Sequence, residues 1–363
     1  MYKVLIYGAG SIGNHLCFAC RQRGWHVEMF DVDAAALDRT RKEIYPTRYG
    51  EWDSEILLSE SLDSSKHYDL IIVGTPPDSH ANLVTDILAS YSPRVLLVEK
   101  PLCTPNLDGL DAVVKAGNDC DSLVLVGYNH NLTKNTQRAE VILNKGDIGI
   151  PKSIHVRWLE HWGGIFNAHP WLDGPADTYL GYFQRGGGAC AEHSHAVSLW
   201  QHFANVLKVG CVINVTAIMD IHKDGIVEYD QTAQILLTTE SGLIGSVIQD
   251  VITEPPQKTM RIQGTKGYLE WYANYDDSHD AIIYKLDNEE RSIEMFEKTR
   301  PDDFRGQMDQ IADLLAGKRQ LKHINGLLEA AKTMEIISAA HVSHKVGHSV
   351  DLQNLGWQDV LVH

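Results

Sequence analysis

The residues of this chain best suited to acid–base chemistry lie in two short segments. Lys100 stands between the end of an apolar run and Pro101, and residues 185–200 hold three consecutive glycines followed by Glu192 and His195. Because proline restricts the residue before it as well as its own φ, Lys100 should leave its strand at a fixed angle. If a helix begins after the glycines, Glu192 and His195 share one face, where the carboxylate can fix the imidazole tautomer. We therefore expect Lys100, His195 and Glu192 to handle a substrate proton.

A glycine-spaced turn follows the first apolar run of the chain. Gly8 allows a tight turn, Gly10 lets the backbone approach a pyrophosphate, and Gly13 lets the next helix pack against its strand. Ser11 and Ile12 open that helix, whose N-terminal N–H groups and dipole favour phosphate. This spacing predicts a dinucleotide-binding turn. A glycine-rich turn in another kind of α/β protein is the alternative interpretation.

An acidic residue ends the second apolar run. Asp31 lies eighteen residues after Gly13, where its carboxylate can accept hydrogen bonds from the adenosine ribose hydroxyls. A carboxylate in this place repels a 2′-phosphate, and the next residues, Val32 and Asp33, supply no cation to offset that repulsion. The pattern therefore predicts NAD rather than NADP as the cofactor.

Two later apolar runs also end in residues with possible roles at the cofactor. Thr75 and Pro76 follow the run 70–73, and Lys100 follows the run 95–98. The carboxyl ends of parallel strands meet at the edge where open α/β sheets bind ligands, so Thr75 and Pro76 should border the nicotinamide. A cationic nicotinamide would disfavour the charged form of Lys100, which suits a proton acceptor. A plain strand-to-helix turn and a surface lysine are the alternatives.

Metal binding is an alternative role for the histidine-rich segment. Glu192, His193 and His195, together with His130 or His169, include residue types that ligate metals. However, positions i and i+2 on a helix splay two imidazoles apart, whereas zinc-binding pairs on helices favour i and i+4. We therefore expect no metal.

Composition and length exclude several classes of protein. A chain of 363 residues with 44% hydrophobic residues predicts two domains. A formal net charge of −16 argues against nucleic-acid binding, which needs clustered Lys and Arg. The sequence has no apolar run long enough for a membrane span and no signal peptide, so we expect a cytoplasmic protein. The six cysteines are scattered, and Cys17 and Cys20 should be buried free thiols.

The order of predicted elements changes near residue 128. Apolar strands alternate with amphipathic helices before this point, which is typical of a doubly wound parallel sheet. Beyond it, short strands joined by tight turns predict a C-terminal α/β domain with an open, mainly antiparallel sheet, followed by helices over 303–316 and 325–347. We assign residues 1–128 to a dinucleotide-binding domain and 129–363 to a substrate-binding and oligomerisation domain, whose last helices could pack back on the first. The uncovered sheet face predicts a homodimer or homotetramer.

Taken together, these motifs resemble the Gfo/Idh/MocA oxidoreductases, which include glucose–fructose oxidoreductase and inositol 2-dehydrogenase. The likeness extends over nearly the whole chain. It rests on the glycine turn with Asp31, on Gly74-Thr-Pro, Glu99-Lys100-Pro101 and Val126-Gly-Tyr-Asn129, and on Gly186-Gly-Gly188 with the later Ile262-Gln-Gly-Thr-Lys-Gly267.

The resemblance implies an N-terminal Rossmann domain, a C-terminal sheet that often forms the subunit interface, and hydride transfer at a carbinol carbon of a sugar or cyclitol. It further implies that Glu99 and Asn129 help to bind the cofactor. Two positions depart from the family pattern. Many members carry Asp where Glu192 stands and histidine four residues later, which is Ala196 here, and many carry arginine where His130 follows Asn129.

Aromatic residues are frequent between residues 158 and 185. Aromatic faces with polar edges suit a sugar ring, and Trp162 and Tyr128 are our candidates for contacting it. Arg185 could bind an acidic group on the substrate. Core packing, or an arm around a neighbouring subunit, would explain the aromatic residues equally well. An enzyme that uses tightly bound NAD for transient redox, in glycoside hydrolysis or sugar–sugar coupling, and a non-catalytic NAD sensor remain alternative functions.

Overall fold

The computed structural model describes residues 1–167, 169, 171–299, 302–318 and 325–354. Within these ranges the chain divides into two compact units. The first unit comprises residues 1–103, 108–129 and 300–331, and the second comprises 104–107, 130–299 and 332–363. Residues 355–363, which belong to the predicted second domain, lie outside the described residues.

The apolar runs of the N-terminal third form a parallel sheet in the first unit. As far as the structure describes the chain, its strands are β1 (Lys3–Tyr7), β2 (His26–Phe30), β3 (Leu57–Ser59), β4 (Leu70–Val73), β5 (Val95–Val98) and β6 (Leu123–Val126), in the spatial order β3-β2-β1-β4-β5-β6. Neighbouring strands are parallel throughout. The strand order reverses between β1 and β4, and sheets of this kind bind ligands at the carboxyl ends of the strands there. The predicted doubly wound Rossmann sheet is confirmed.

Helices connect these strands. They are α1 (Ser11–Arg21), α2 (Ala34–Arg39), α3 (Tyr45–Tyr49), α4 (His80–Ser90) and α5 (Leu110–Asn118). A π-helical turn over Thr40–Ile44 joins α2 to α3, and no sequence signal pointed to it. Cys17 and Cys20 on α1 are buried free thiols, as predicted.

The second unit is built on a mixed sheet. Among the described residues its helices are α6 (Lys134–Asn144), α7 (Gly163–Asn167), α8 (Gly188–Glu192) and α9 (His195–Val206). Its strands are β7 (Pro151–Leu159), β8 (Val212–Asp224), β9 (Val227–Thr239), β10 (Ile244–Asp250), β11 (Gln257–Gly264), β12 (Tyr268–Ala273), β13 (His279–Lys285), β14 (Ser292–Glu297) and β15 (Val350–Asp351). Their order is β14-β13-β12-β11-β7-β10-β9-β8-β15. The pair β7–β10 is parallel and the other pairs are antiparallel. The predicted open, mainly antiparallel sheet is confirmed, although β13, β14 and β15 were not predicted.

One face of this sheet packs against helices. On α9, the fully buried Trp200 donates a hydrogen bond from its indole nitrogen to the carbonyl of Ile154 on β7 (3.0 Å). A Cβ at Gly245 on β10 would lie 2.6 Å from that indole nitrogen, so glycine leaves room for the ring. On the other face Ile218 and Leu236 are 74% and 60% exposed. The sheet therefore has one covered face and one face with exposed aliphatic side chains.

Two helices complete the described chain, α10 (Asp302–Leu315) and α11 (Leu327–Val346), close to the predicted ranges. On α10, Met308 and Ile311 are fully buried and belong to the same hydrophobic core as Leu16 and Cys20 of α1. Helix α11 begins in the first unit and ends in the second. No helix within the described ranges is long and apolar enough to cross a membrane.

Candidate active site

The glycine turn after β1 has the geometry that a dinucleotide requires. Gly8 has φ +101°, and a Cβ there would lie 2.8 Å from the carbonyl oxygen of Gly74. A Cβ at Gly13 would lie only 2.0 Å from the carbonyl oxygen of Gly8, whereas a Cβ at Gly10 would meet no atom within 4 Å. The first and third glycines are thus required by the protein itself. Gly10 instead borders open space, before the first turn of α1 with Ser11 and Ile12, which fits the approach of a pyrophosphate.

Two buried polar side chains that sequence reasoning missed hold this turn in place. The side-chain amide of Asn14, which is fully buried, donates to the carbonyl of Gly10 (2.8 Å) and to Thr40 Oγ1 (3.0 Å). Thr40 in turn donates to the carbonyl of Ala9 (2.7 Å). Thr40 begins the π-helical turn, so this irregular segment supplies one of the groups that fix the glycine turn.

Asp31 lies beside the turn, as its position at the end of β2 predicts. Its Oδ2 accepts a hydrogen bond from the N–H of Ala9 (2.8 Å), and its Oδ1 accepts one from the N–H of Asp33 (2.9 Å). Two backbone donors therefore fix the orientation of the carboxylate. Each oxygen keeps a second acceptor direction, so the carboxylate can still accept from ribose hydroxyls.

The carboxyl ends of β4, β5 and β6 carry the remaining predicted cofactor residues of the first unit. Thr75 and Pro76 directly follow Gly74 at the end of β4, where Thr75 Oγ1 lies 2.6 Å from Ser79 Oγ. Glu99, at the end of β5, is buried, and a Cβ at Gly127 would lie 2.6 Å from its Oε1. Position 127 must therefore be glycine if the Glu99 carboxylate is to stay in this place.

Lys100, Tyr128 and Asn129 lie at the same carboxyl edge. Lys100 is half-buried after β5, and Tyr128 and Asn129 are buried after β6. Asn325 fixes the second of these segments, since its side-chain amide donates to the carbonyl of Tyr128 (2.8 Å). Because β1, β4, β5 and β6 are parallel neighbours, the glycine turn and the predicted cofactor residues are gathered on one edge of one sheet.

The segment that carries His195 differs from the predicted single helix. Helix α8 ends at Glu192, His193 and Ser194 form a turn, and α9 begins at His195. Glu192 and His195 therefore lie on two different helices, and the prediction that they share one helical face is wrong. Tyr179 donates a hydrogen bond from its hydroxyl to Glu192 Oε2 (2.8 Å), so the Glu192 carboxylate is engaged by the aromatic segment before the glycines.

Two buried side chains from the sheet hold α8 at its two ends. Asp230 on β9, which has no exposed surface, accepts a hydrogen bond from the N–H of Cys190 at Oδ2 (2.6 Å). Gln249 on β10, also fully buried, donates to the carbonyl of His193 (2.6 Å), just after α8 ends. Sequence reasoning missed both residues. They set the position of the turn from which His195 emerges.

Burial shifts the pKa values of the ionisable groups behind α8. It raises the pKa of Asp230 to about 7, although the backbone hydrogen bond from Cys190 lowers this pKa. It lowers the pKa of His341 to about 4, and His344 lowers it further. His341 Nε2 lies 4.0 Å from Asp230 Oδ1. The second unit thus contains a buried acid and a buried base whose side-chain atoms lie 4.0 Å apart.

His195 is half-buried and belongs to an aromatic cluster formed by His130, Trp158, His195 and Trp271. The ring of Trp158 is stacked on that of His195, with centroids 5.6 Å apart and an interplanar angle of 20°. His130 approaches His195 edge-on, with centroids 4.9 Å apart. The His195 imidazole therefore packs between the rings of Trp158 and His130.

The predicted substrate residues Trp162 and Arg185 lie in different surroundings. Trp162 is 5% exposed and packs in a hydrophobic cluster, with its ring centroid 4.8 Å from that of Tyr229. This burial favours the core-packing interpretation of the aromatic segment. Arg185 is exposed, and its guanidinium carbon lies 5.9 Å from the centroid of the Tyr182 ring. Over the described part of the chain, no group of three His, Cys, Asp or Glu residues could hold a metal ion.

The sequence matches two protein-family models. Residues 2–128 match the oxidoreductase family with an NAD-binding Rossmann fold, and residues 136–270 match the GFO/IDH/MocA C-terminal domain. A comparison with curated proteins found no significant match. The matched N-terminal family, together with the glycine turn, identifies an NAD-binding oxidoreductase. The chain belongs to the Gfo/Idh/MocA oxidoreductase family.

Solved structures share this fold over nearly the whole chain. One is an oxidoreductase from Agrobacterium radiobacter in complex with NAD+, L-tartaric acid and magnesium (18% identity, 97% of this chain and 98% of that chain, TM-score 0.75). A second is levoglucosan dehydrogenase in complex with NADH and levoglucosan (15% identity, 96% and 98%, TM-score 0.76). A third is aldose-aldose oxidoreductase from Caulobacter crescentus (16% identity, 96% and 99%, TM-score 0.75).

Proposed function

We propose that this protein is an NAD-dependent dehydrogenase that oxidises a secondary alcohol of a sugar, a sugar derivative or a cyclitol. The observation that carries the proposal is the placement of Lys100. It is a half-buried amine at the carboxyl end of β5, on the same sheet edge as the glycine turn and Asp31. Levoglucosan dehydrogenase and aldose-aldose oxidoreductase share the fold, which supports a carbohydrate substrate.

The reaction divides between the cofactor and the protein. When bound, NAD supplies the acceptor for the hydride that leaves the carbinol carbon. The N–H groups at the start of α1 bind the phosphates, and Asp31 accepts from the ribose hydroxyls. Lys100 accepts the hydroxyl proton as the alcohol becomes a carbonyl, and His195 is the second proton-handling group. The exposed Arg185 would bind a carboxylate or phosphate on an acidic substrate.

Net reduction of NAD tests the activity. Purified protein is incubated with NAD and a panel of sugars, uronates, amino sugars and inositols, while the absorbance of the reduced cofactor is followed. Lys100→Met and His195→Ala should each lower turnover by ~10²-fold or more. Both should leave NAD affinity within a few-fold, because neither touches the glycine turn or Asp31. Lys115→Met, which removes an exposed lysine on α5, is the matched control and should turn over as the wild type does.

The outcome also separates the other candidate functions. An enzyme that uses tightly held NAD for transient redox returns the hydride within each cycle, so it would convert substrate without net reduction. A sensor would bind NAD and give neither product nor reduction. If His195→Ala were close to wild type while His193→Ala or Glu192→Gln were inactive, the assignment of the proton-handling group in the second unit would be refuted.

A further inference from the structure

A fully buried histidine joins two loops of the first unit at the edge that carries Lys100. His80, the first residue of α4, has no exposed surface. Its Nε2 lies 2.7 Å from the carbonyl oxygen of Thr75, and its Nδ1 lies 2.8 Å from the carbonyl oxygen of Pro101. Both ring nitrogens therefore contact backbone atoms next to residues that the proposed chemistry uses. No sequence motif described above includes His80.

The loops that follow β4 and β5 lie beyond the last backbone hydrogen bonds between these two strands. The N–H of Glu99 donates to the carbonyl of Val73 (2.8 Å), next to the last paired residues of β4 and β5. Past it, proline removes the backbone N–H at positions 76 and 101, so neither residue can continue the ladder. The rigid imidazole ring of His80 spans this place instead, with one nitrogen on each loop.

The two contacts of His80 depend on how many of its ring nitrogens carry a proton. A carbonyl oxygen only accepts, and a neutral imidazole carries a single N–H, so the neutral ring donates to one loop at a time. Burial lowers the pKa of His80, the two carbonyls oppose that shift, and the charge of Lys100 adds to it. In either protonation state the ring keeps at least one N–H donor between the two carbonyl oxygens, and its rigid shape spaces the two loops.

We propose that His80 is a positioning residue, which fixes the segment after Lys100 against the loop of Thr75 and so sets where the Lys100 amine meets the substrate. The consequence for turnover rests on the proposed function, since it requires Lys100 to accept the substrate proton. The structural part, that His80 orders residues 99–103, does not depend on any activity.

Backbone hydrogen exchange tests the structural part on its own. His80→Leu removes both polar contacts, and amides in residues 99–103 should then exchange at least ~3-fold faster, whereas those of the glycine turn should be unchanged. His80→Gln keeps an N–H donor on a flexible arm and should restore most of the protection. Ser122→Ala is the matched control, because Ser122 Oγ donates to the carbonyl of Pro93 (2.6 Å) at the opposite edge of the same sheet. It should leave residues 99–103 unchanged.

Steady-state kinetics tests the consequence for turnover. His80→Leu should lower kcat by ~10-fold or more while the dissociation constant of NAD stays within about threefold, and His80→Gln should recover most of the loss. Unchanged exchange of residues 99–103 in His80→Leu would overturn the proposal, and so would a loss of NAD affinity equal to the loss in kcat. If His80→Leu gave no folded protein, His80→Ala, which also removes both polar contacts, would replace it in both measurements. If no alcohol in the panel were oxidised, the proposed function would fail, but the exchange result would still decide the role of His80.

Discussion

Replacing Asp230 by asparagine should remove one pH-dependent contribution to the free energy of unfolding. Asp230 has no exposed surface, and its Oδ2 accepts from the N–H of Cys190. An asparagine oxygen can accept the same bond, so the change removes the ionisation with little change in shape. Burial raises the pKa of Asp230 from 3.8 to about 7. The folded protein therefore keeps a proton on this carboxyl over a pH range in which the unfolded chain has lost it.

The direction of the effect follows from proton linkage. A raised pKa contributes stability that is fully present below the unfolded pKa of 3.8 and is lost as the pH rises through the folded pKa of about 7. A shift of about three units corresponds to ~4 kcal/mol, at ~1.36 kcal/mol per unit. The asparagine side chain cannot ionise, so the Asp230→Asn variant lacks this loss. Its free energy of unfolding relative to the wild type should therefore rise by up to ~4 kcal/mol between about pH 4 and pH 7.

The neighbouring His341 has the opposite effect on the pH dependence of stability, and the two effects must be separated. Burial lowers the pKa of His341 from 6.5 to about 4, so its contribution to stability is lost as the pH falls through that range. Because His341 Nε2 lies 4.0 Å from Asp230 Oδ1, replacing Asp230 also changes the surroundings of His341. The comparison is therefore repeated in a His341→Gln background, where no histidine titrates beside position 230 and the pH-dependent difference reports on the proton of Asp230.

Urea unfolding of both proteins at several pH values measures this difference. Asp220→Asn, which changes an exposed carboxylate on the neighbouring strand β8, is the matched control for replacing one carboxylate in this sheet. A difference between Asp230→Asn and the wild type that stays constant from about pH 5 to pH 8 would refute the reasoning. It would mean that Asp230 titrates at the same pH in the folded and the unfolded protein.

Three further predictions concern the cofactor turn and the exposed sheet face. Gly13→Ala should lower both the affinity for NAD and the free energy of unfolding, the latter by ~2 kcal/mol or more, because its Cβ would lie 2.0 Å from a backbone oxygen. Gly10→Ala should lower the affinity for NAD only, since its Cβ would meet no protein atom within 4 Å. Calorimetric titration with NAD and thermal unfolding would separate the two effects. NAD should bind at least tenfold tighter than NADP, a difference of ~1.4 kcal/mol, because of Asp31; equal affinities in parallel titrations would contradict this. We expect a homodimer or homotetramer through the exposed face that carries Ile218 and Leu236. Leu236→Arg should lower the mass measured by light scattering, and a wild-type monomer at micromolar concentration would refute the assembly.

The first unit could be predicted from sequence because its signals are local. The glycine spacing, Asp31 and the continuous apolar strands each depend on neighbours within about thirty residues, and each corresponds to one physical requirement. Gly13 illustrates this: the atom that excludes a side chain there belongs to Gly8, five residues earlier. The parallel sheet, the cofactor and the turn geometry could be derived from such short-range patterns, whereas β3 and the π-helical turn after α2 were missed.

The His195 segment could not be predicted in the same way, because distant residues decide its shape. A continuous helix satisfies the local pattern after the glycines. However, Gln249 donates to the carbonyl of His193 where α8 ends, and Asp230 accepts an N–H near its start. These two side chains lie on β10 and β9, about forty to sixty residues further along the chain. Strand β14 was missed because Glu294 and Glu297 interrupt its apolar residues, so it gives no continuous apolar run. Strand β13 carries the apolar run 281–284 and could have been found from sequence.

The residues that sequence reasoning missed share a physical property. Asn14, Thr40, His80, Asp230 and Gln249 are all buried polar groups bonded to backbone atoms beside the predicted functional segments. A buried polar group is costly unless it is paired, so its presence indicates that the backbone atom it meets needs to be held. For one of these residues, Gln249, the sequence pattern itself indicated a buried polar group. Gln249 occupies an inward position in a strand whose other inward residues are apolar, and a polar residue in that register implies a partner behind the sheet. Reading strands for polar residues on their buried face would therefore have located the support of His195, although not the atoms it contacts.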